Sequence, residues 1–231
     1  MKLNTNSNIY TFVYMTVVVI IVAVLLALAN QSLKPRQEAN ILLDKQKQIL
    51  GALKVDYTNA DPAEVYYTLV NDTLTYGEQE VYVANLNGAT KYILPLSGKG
   101  LWGGIGGYLA LDEDKNTIYG VNFNHESETP GLGAKIVEPE FRSQFEGKHI
   151  RNAEGAVVSV AVLKAGKHAE GQEQVDAISG ATITSSGVST MLEVNLGEYA
   201  EFLKQCQTGE AVQTAESVQT GEAVQTKEAE L

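Results

Sequence analysis

Cysteine, histidine and positive charge are scarce in this chain, and each shortage removes a class of function. Among 231 residues there is one cysteine, Cys206. Alone it can neither close an internal disulfide nor hold an iron–sulfur cluster. The three histidines, His125, His149 and His168, show no HxxxH pattern, and no CxxC accompanies them, so no structural metal site is expected. Redox chemistry would have to rest on an organic cofactor or on a partner. Lysine and arginine number 17 against 28 acidic residues, a formal net charge of −11. No basic stripe is available to displace counterions from a nucleic-acid backbone, which excludes nucleic acid as a partner. The negative surplus serves solubility.

What is present, first, is a long apolar run. Residues 9–29 (IYTFVYMTVVVIIVAVLLALA) carry no charge over 21 positions. As a helix they span roughly 31 Å, the thickness of a bilayer's hydrocarbon core. Tyr10, Phe12 and Tyr14 cluster at one end, as interfacial aromatics do. The run is expected to be a retained span through the lipid bilayer. A cleaved signal peptide ending near Ala27-Leu28-Ala29 and a buried core helix are the other readings. Lys34, Arg36, Lys45 and Lys47 follow the run and only Lys2 precedes it, so the positive-inside count favours a domain on the inner side.

Hydrophobic residues make up 44% of the chain, enough to order most of it. About 175 residues remain once the anchor and a polar tail are set aside, enough for one domain with its own core. Three segments follow: an anchor at 1–34, a domain at 35–206 and a tail at 207–231. A short amphipathic helix is expected over 35–50, ended by Gly51, with a break at Asn59-Ala60-Asp61-Pro62. Strands are expected at 65–70, 80–84, 89–94 (ending at Pro95), 108–111, 117–123 and 157–163, with a hairpin-like turn at 112–116. Residues 186–204 have helical spacing, with Val188, Met191, Leu192, Leu196, Tyr199 and Leu203 on one face. The fold class is α+β, a curved, mainly antiparallel sheet with flanking helices. In the tail, TGEAVQT at 208–214 returns at 220–226 with AESVQT between, and five glutamates, one lysine and no aromatic residue give it little to bury. It is expected to be disordered.

Two glycine-bearing stretches stand out. Six of the eleven residues over 97–107 are glycine, but no βαβ pattern surrounds them, so a tight bend or close backbone approach fits better than a dinucleotide site. Asp176-Ala177-Ile178-Ser179-Gly180-Ala181-Thr182 reads as a small-residue turn before a helix that Thr184, Ser185 or Ser186 could cap. An anion placed there would meet free helix N–H groups.

That stretch resembles the D-x-x-S/T-G-A-T signature of FMN-binding domains, whose FMN phosphate is esterified to the last threonine. The resemblance makes Thr182 the attachment residue and Asp176 the aspartate needed by a metal-dependent flavin transferase that uses FAD. Ser179, Gly180 and Ala181 are then part of the cofactor site. His125-Glu126-Ser127-Glu128-Thr129-Pro130-Gly131-Leu132-Gly133 is similar to the H-x-E-T-P-G-L-G segment of the same family, with one extra residue after His125. This makes Glu128, Thr129, Gly131 and Leu132 candidate flavin contacts. Gly98-Lys99-Gly100-Leu101-Trp102 resembles the KGLW segment of the C subunits of sodium-translocating NADH:quinone reductases. Phe141, Gln144, Phe145 and Gly147-Lys148 also look like those subunits. Trp102 is then either a core anchor or a wall of the flavin pocket, and Lys164 is a candidate to tune the flavin, beside its plain reading as a solvated lysine.

The resemblance covers the apolar run to about Lys204. It implies a single-pass protein of the bacterial inner membrane with its flavin domain on the periplasmic side, against the charge count. It further implies an electron relay without a catalytic residue of its own. NADH would be oxidised in another subunit, one holding FAD and a [2Fe–2S] centre. Electrons would pass through membrane-bound iron and Thr182-linked FMN to an FMN on the B subunit, then riboflavin and quinone, while the multi-helix subunits export sodium. The expected partners are those subunits and the flavin transferase. The alternatives are the related G subunit of the Rnf ferredoxin:NAD oxidoreductase, a flavin-linked reductase for an extracytoplasmic acceptor, and a membrane-tethered binding domain without redox chemistry.

Overall fold

The structure, a computed structural model, describes residues 8–152, 154–164 and 166–204; Lys2, Cys206 and the repetitive segment 207–231 lie outside the described residues. The apolar run opens helix α1 (Asn8–Ala52), a single 45-residue element about 68 Å long. Its most apolar window has a mean hydropathy of 3.0, and none of that window is buried. The core-helix reading therefore fails. The separate helix expected over 35–50 is instead the second half of α1. Pro35 removes one N–H from the helical ladder. The carbonyl it orphans, on Gln31, lies on an exposed stretch where water can take the bond.

Helix α1 ends one residue beyond Gly51. Val55 N–H returns to the Leu50 carbonyl and Lys54 N–H to Gly51, with Lys54 in the left-handed region at φ 56°. This paired closure satisfies the last carbonyls of the helix. The break at 59–62 is present, but the strand expected at 65–70 is helix α2 (Pro62–Leu69). Asp61 caps it by accepting from Ala63 N–H, and Pro62 fills its first turn. That start signal outweighs the β-branched residues behind it.

The sheet is an antiparallel meander in the order β1 (Val70–Tyr76), β2 (Gln79–Leu86), β3 (Ala89–Lys99), β4 (Gly104–Leu111), β5 (Ile118–His125). β3 does not stop at Pro95. Its pairing with β2 ends at Ile93, and the Pro95 carbonyl accepts from the Tyr199 hydroxyl at 3.3 Å. No ladder bond to β2 is formed at Pro95, so its missing N–H is tolerated there. Alternate residues face opposite ways. Ile93 and Ala110 pack with Ile49 and Ala52 of α1 and with Leu53 just after it on one face; Leu94, Leu96, Leu109 and Leu111 join the larger core on the other. Asn122 and Asn124 of β5 donate to Gln48 of α1, which locks the membrane-derived helix to the sheet.

A second layer covers the larger core. It contains α3 (Pro139–Arg142), whose Phe141 meets Phe123 and Phe145 edge-on or tilted. Of the strand expected at 157–163, only β6 (Ala161–Val162) forms, paired in parallel with β7 (Gln174–Val175). Ser159, at φ 67°, interrupts it. The expected helix 186–204 starts earlier and breaks once, giving α4 (Thr182–Glu198) and α5 (Ala200–Lys204). All six residues assigned to its inner face are buried.

Candidate cofactor site

The site is built where α4 leaves its turn. The Ala181 N–H donates to the Ile178 carbonyl at 3.1 Å, closing a β-turn in which Gly180 holds φ 77°. That position demands glycine. Ser179 and Gly180 are exposed on the turn, while Ala181 is buried beneath it. Helix α4 then begins at Thr182 without a side-chain cap. Thr184, Ser185 and Ser186 are inside the helix, so the expected capping role falls away. Thr184 is buried and donates to Glu128 Oε2 at 2.7 Å, and Ser185 Oγ accepts from Ile178 N–H at 3.1 Å. The first helical bond is Ser185 N–H to the Ala181 carbonyl. The N–H groups of Thr182, Ile183 and Thr184 therefore precede the helical ladder, and the positive end of the helix faces outward.

The glycine-rich turn after β3 lies alongside. Gly100 N–H donates to the Gly103 carbonyl, Trp102 N–H to Glu128 Oε1 at 2.9 Å, and Gly104 N–H to Glu126 Oε2 at 2.9 Å. Burial is the largest influence on Glu128 and opposes its charge. Trp102 N–H, the Thr184 hydroxyl, Leu101 N–H and nearby His125 together hold its carboxyl below the ordinary glutamate range. The 128–133 segment turns at Gly131, φ 75°, and brings Leu132 over Gly180, where an added methyl would come within 2.9 Å of Leu132 Cδ2.

Between the end of β3 and α4 runs an open groove of about 590 Å³, with Lys99 and Gly100 on one wall and Thr182, Ser186, Thr190 and Val194 on the other. Glycine makes this junction. A methyl on Gly98 would meet Met191, and one on Gly187 would stand 2.4 Å from the Lys99 carbonyl oxygen. The volume suits a small cofactor. An exposed hydroxyl, three helix N–H groups ahead of the ladder and one lysine at the same groove fit a phosphate-bearing group such as FMN.

Of the residues singled out in the sequence, Thr182 lies on the groove, with Ser179, Gly180 and Ala181 immediately before it. Leu132 touches their turn; Thr129 and Gly131 are exposed nearby in sequence. Glu128 is 4% exposed and lies behind the groove wall. Trp102 is 66% exposed, which overturns its reading as a core anchor, and it follows Gly100 without lining the groove itself. Lys164 is exposed after β6 and outside the groove lining. Asp176 also lies outside it. Its carboxylate accepts from Ala169 N–H at 2.7 Å and approaches His168 Nδ1 at 3.3 Å, and these bonds hold it below the usual aspartate range. Gln144 accepts the Asp176 N–H.

Sequence reasoning missed Lys99 and the outer face of α4. Lys99 sits inside a segment whose tryptophan draws the eye. Thr182, Ser186, Thr190 and Val194 recur every fourth residue opposite the core face, a stripe the helical period makes visible.

A family model for the FMN-binding domain matches residues 100–196. The C subunit of the Na(+)-translocating NADH-quinone reductase of Vibrio alginolyticus is 28% identical, over 80% of this chain and 90% of its own length. The Shewanella oneidensis NqrC crystal structure shares the fold, with TM-score 0.59 and 24% identity over 70% of this chain and 95% of that one. The crystal structure of the C subunit from Parabacteroides distasonis is 41% identical, with TM-score 0.69, covering 74% of this chain and 96% of that one. On that identity and coverage, the chain belongs to the family of C subunits of the Na(+)-translocating NADH-quinone reductases.

Proposed function

We propose that this protein carries FMN esterified through its phosphate to Thr182 Oγ1 and relays electrons within a sodium-translocating NADH:quinone reductase, with its domain on the periplasmic side of the inner membrane. The observation that carries the reading is the position of Thr182: an exposed hydroxyl on the first residue of α4, at a groove whose two walls, the end of β3 and α4, meet closely at Gly98 and Gly187. In maturation the Thr182 oxygen attacks the FMN phosphorus of FAD. A phosphoester forms, the pyrophosphate bond breaks, AMP departs and the hydroxyl proton is released. Asp176, half exposed and six residues upstream, is available to the transferase and its metal. Once bound, FMN supplies one- and two-electron redox chemistry.

The chain's own residues then hold and present it. The N–H groups of the first turn of α4 and Lys99 offset the phosphate charge. Leu101, Trp102, Leu132, Ile183 and Val194 leave apolar surface exposed around the groove. Such a patch suits closure against another subunit, which would bring donor and acceptor near. Helix α1, continuous from its apolar run into the domain, ties this assembly to the bilayer.

The test is in-gel flavin fluorescence after co-expression with the transferase. Four exposed hydroxyl-bearing residues line the groove: Ser97, Thr182, Ser186 and Thr190. Thr182→Ala should abolish covalent fluorescence, whereas Ser186→Ala and Thr190→Ala should keep it. Fluorescence that survives Thr182→Ala refutes the assignment.

A further inference from the structure

Glu128 is a buried acid whose surroundings were shaped for a charge. The hydrogen bonds at its carboxylate are donated to it, by the Trp102 N–H, the Thr184 hydroxyl and the Leu101 N–H. An ionised carboxylate, which only accepts, satisfies that arrangement; a protonated one would carry a hydrogen into it. Two glycines make the room. A methyl on Gly100 would stand 2.4 Å from Oε1, and one on Gly133 would stand 2.2 Å from Oε2. Gly100 is itself a wall of the groove, so the carboxylate lies one backbone thickness behind the cofactor site. Glu128 enters none of the ion pairs between described residues. An anion at 4% exposure without a lysine or arginine partner is weakly screened, and its field extends into the groove.

Resting on the attachment of FMN at Thr182, we propose that Glu128 is a positioning residue that also sets charge. Acting through the backbone of residues 100–102 and the first turn of α4, its buried anion disfavours the addition of electrons to the bound flavin and holds its reduction potential low. The residue does not touch the flavin. It fixes the distance between the groove's two walls and imposes a negative potential from behind one of them.

The charge and the tie can be separated. Glu128→Gln keeps an acceptor for Trp102 N–H, and its amide can donate to Thr184 Oγ1, so the framework survives without the charge. Thr184→Val keeps the charge and removes the tie. Full-length protein, flavinylated by co-expressed transferase and held in detergent, is titrated spectroelectrochemically at fixed pH. Glu128→Gln should raise the midpoint potential, by about 59 mV for each tenfold change in the reduced-to-oxidised ratio of a one-electron couple. Thr184→Val should give no rise.

An unchanged potential in Glu128→Gln with wild-type flavin content overturns the proposal, as does an equal rise in Thr184→Val. If Glu128→Gln does not fold, Glu128→Asp, which keeps the charge on a shorter stem, decides the matter. A potential at the wild-type value supports the role of charge, and a rise overturns it. Wild-type protein that acquires no flavin in this preparation overturns the attachment at Thr182 and the role of Glu128 with it.

Discussion

Two glycines on α4 should respond in opposite directions to the same substitution. Alanine is favoured over glycine in a helix interior by about 1 kcal/mol. At Gly197 an added methyl meets nothing within 4 Å, so Gly197→Ala should be neutral or stabilising by up to that amount. At Gly187 the methyl would stand 2.4 Å from the Lys99 carbonyl oxygen, with Ile105 Cδ1 at 3.4 Å. Ordinary contact lies about 1 Å further out. The oxygen cannot yield alone, because Lys99 is paired with Gly104 at the end of the β3–β4 ladder. Helix α4 must shift instead, at an overpacking cost of about 1–3 kcal/mol. Set against the gain in propensity, Gly187→Ala should be destabilised by up to about 2 kcal/mol. With about 2–4 °C per kcal/mol for a domain of this size, Gly187→Ala should melt several degrees below Gly197→Ala. The assay is thermal unfolding of the full chain in detergent, followed by near-ultraviolet circular dichroism. Gly187→Ala should also lose covalent flavin, since the shift moves a groove wall. Equal melting of the two variants would refute the close-approach argument.

Acid should expose the charge on Glu128. Its folded carboxyl titrates below the ordinary glutamate value of 4.5, so the stability it contributes is present above that value and is lost as pH falls through the depressed one. Glu128→Gln should therefore show a smaller drop in melting temperature between pH 7 and pH 3 than wild type, and an equal drop would contradict the assignment. Trp102→Ser, at a side chain 66% exposed, should change stability by less than about 0.5 kcal/mol. It should nevertheless weaken co-purification with the membrane subunits, and unchanged recovery of the complex would count against the apolar rim as a docking face. Asp176→Asn should leave the melting temperature close to wild type, because its side chain is 42% exposed, while covalent flavin falls. Full flavinylation of that variant would remove Asp176 from the maturation site.

The parts of the fold legible in the sequence are those with local causes. The apolar run, the 80–84 strand, the 117–123 strand and the buried face of 186–204 follow from periodicity that burial then uses. The failures have causes too. At 65–70 the Asp61-Pro62 pair reads as a break, yet it is a start signal that nucleates α2. At 157–163 the β-branched composition favours a strand, but Ser159 takes a left-handed φ and pairing survives only at Ala161–Val162. Pro95 reads as a strand end because the sequence does not tell that the pairing with β2 ends at Ile93, before it. The turn before Thr182 is visible in its small residues, whereas the start of α4 at Thr182 is not, since no side-chain cap marks it. Glu128 illustrates the limit of motif reading. The segment marks it as near the cofactor, but only the folded chain puts its carboxylate behind Gly100 and beneath Thr184.

The central claim is a phosphoester at Thr182, and intact mass of the protein isolated from its native membrane, followed by peptide mapping of residues 165–204, tests it most directly. The account predicts an added mass of one FMN less one water, confined to the peptide that contains Thr182. Native protein at its unmodified mass, or the same addition on a peptide without Thr182, would contradict it.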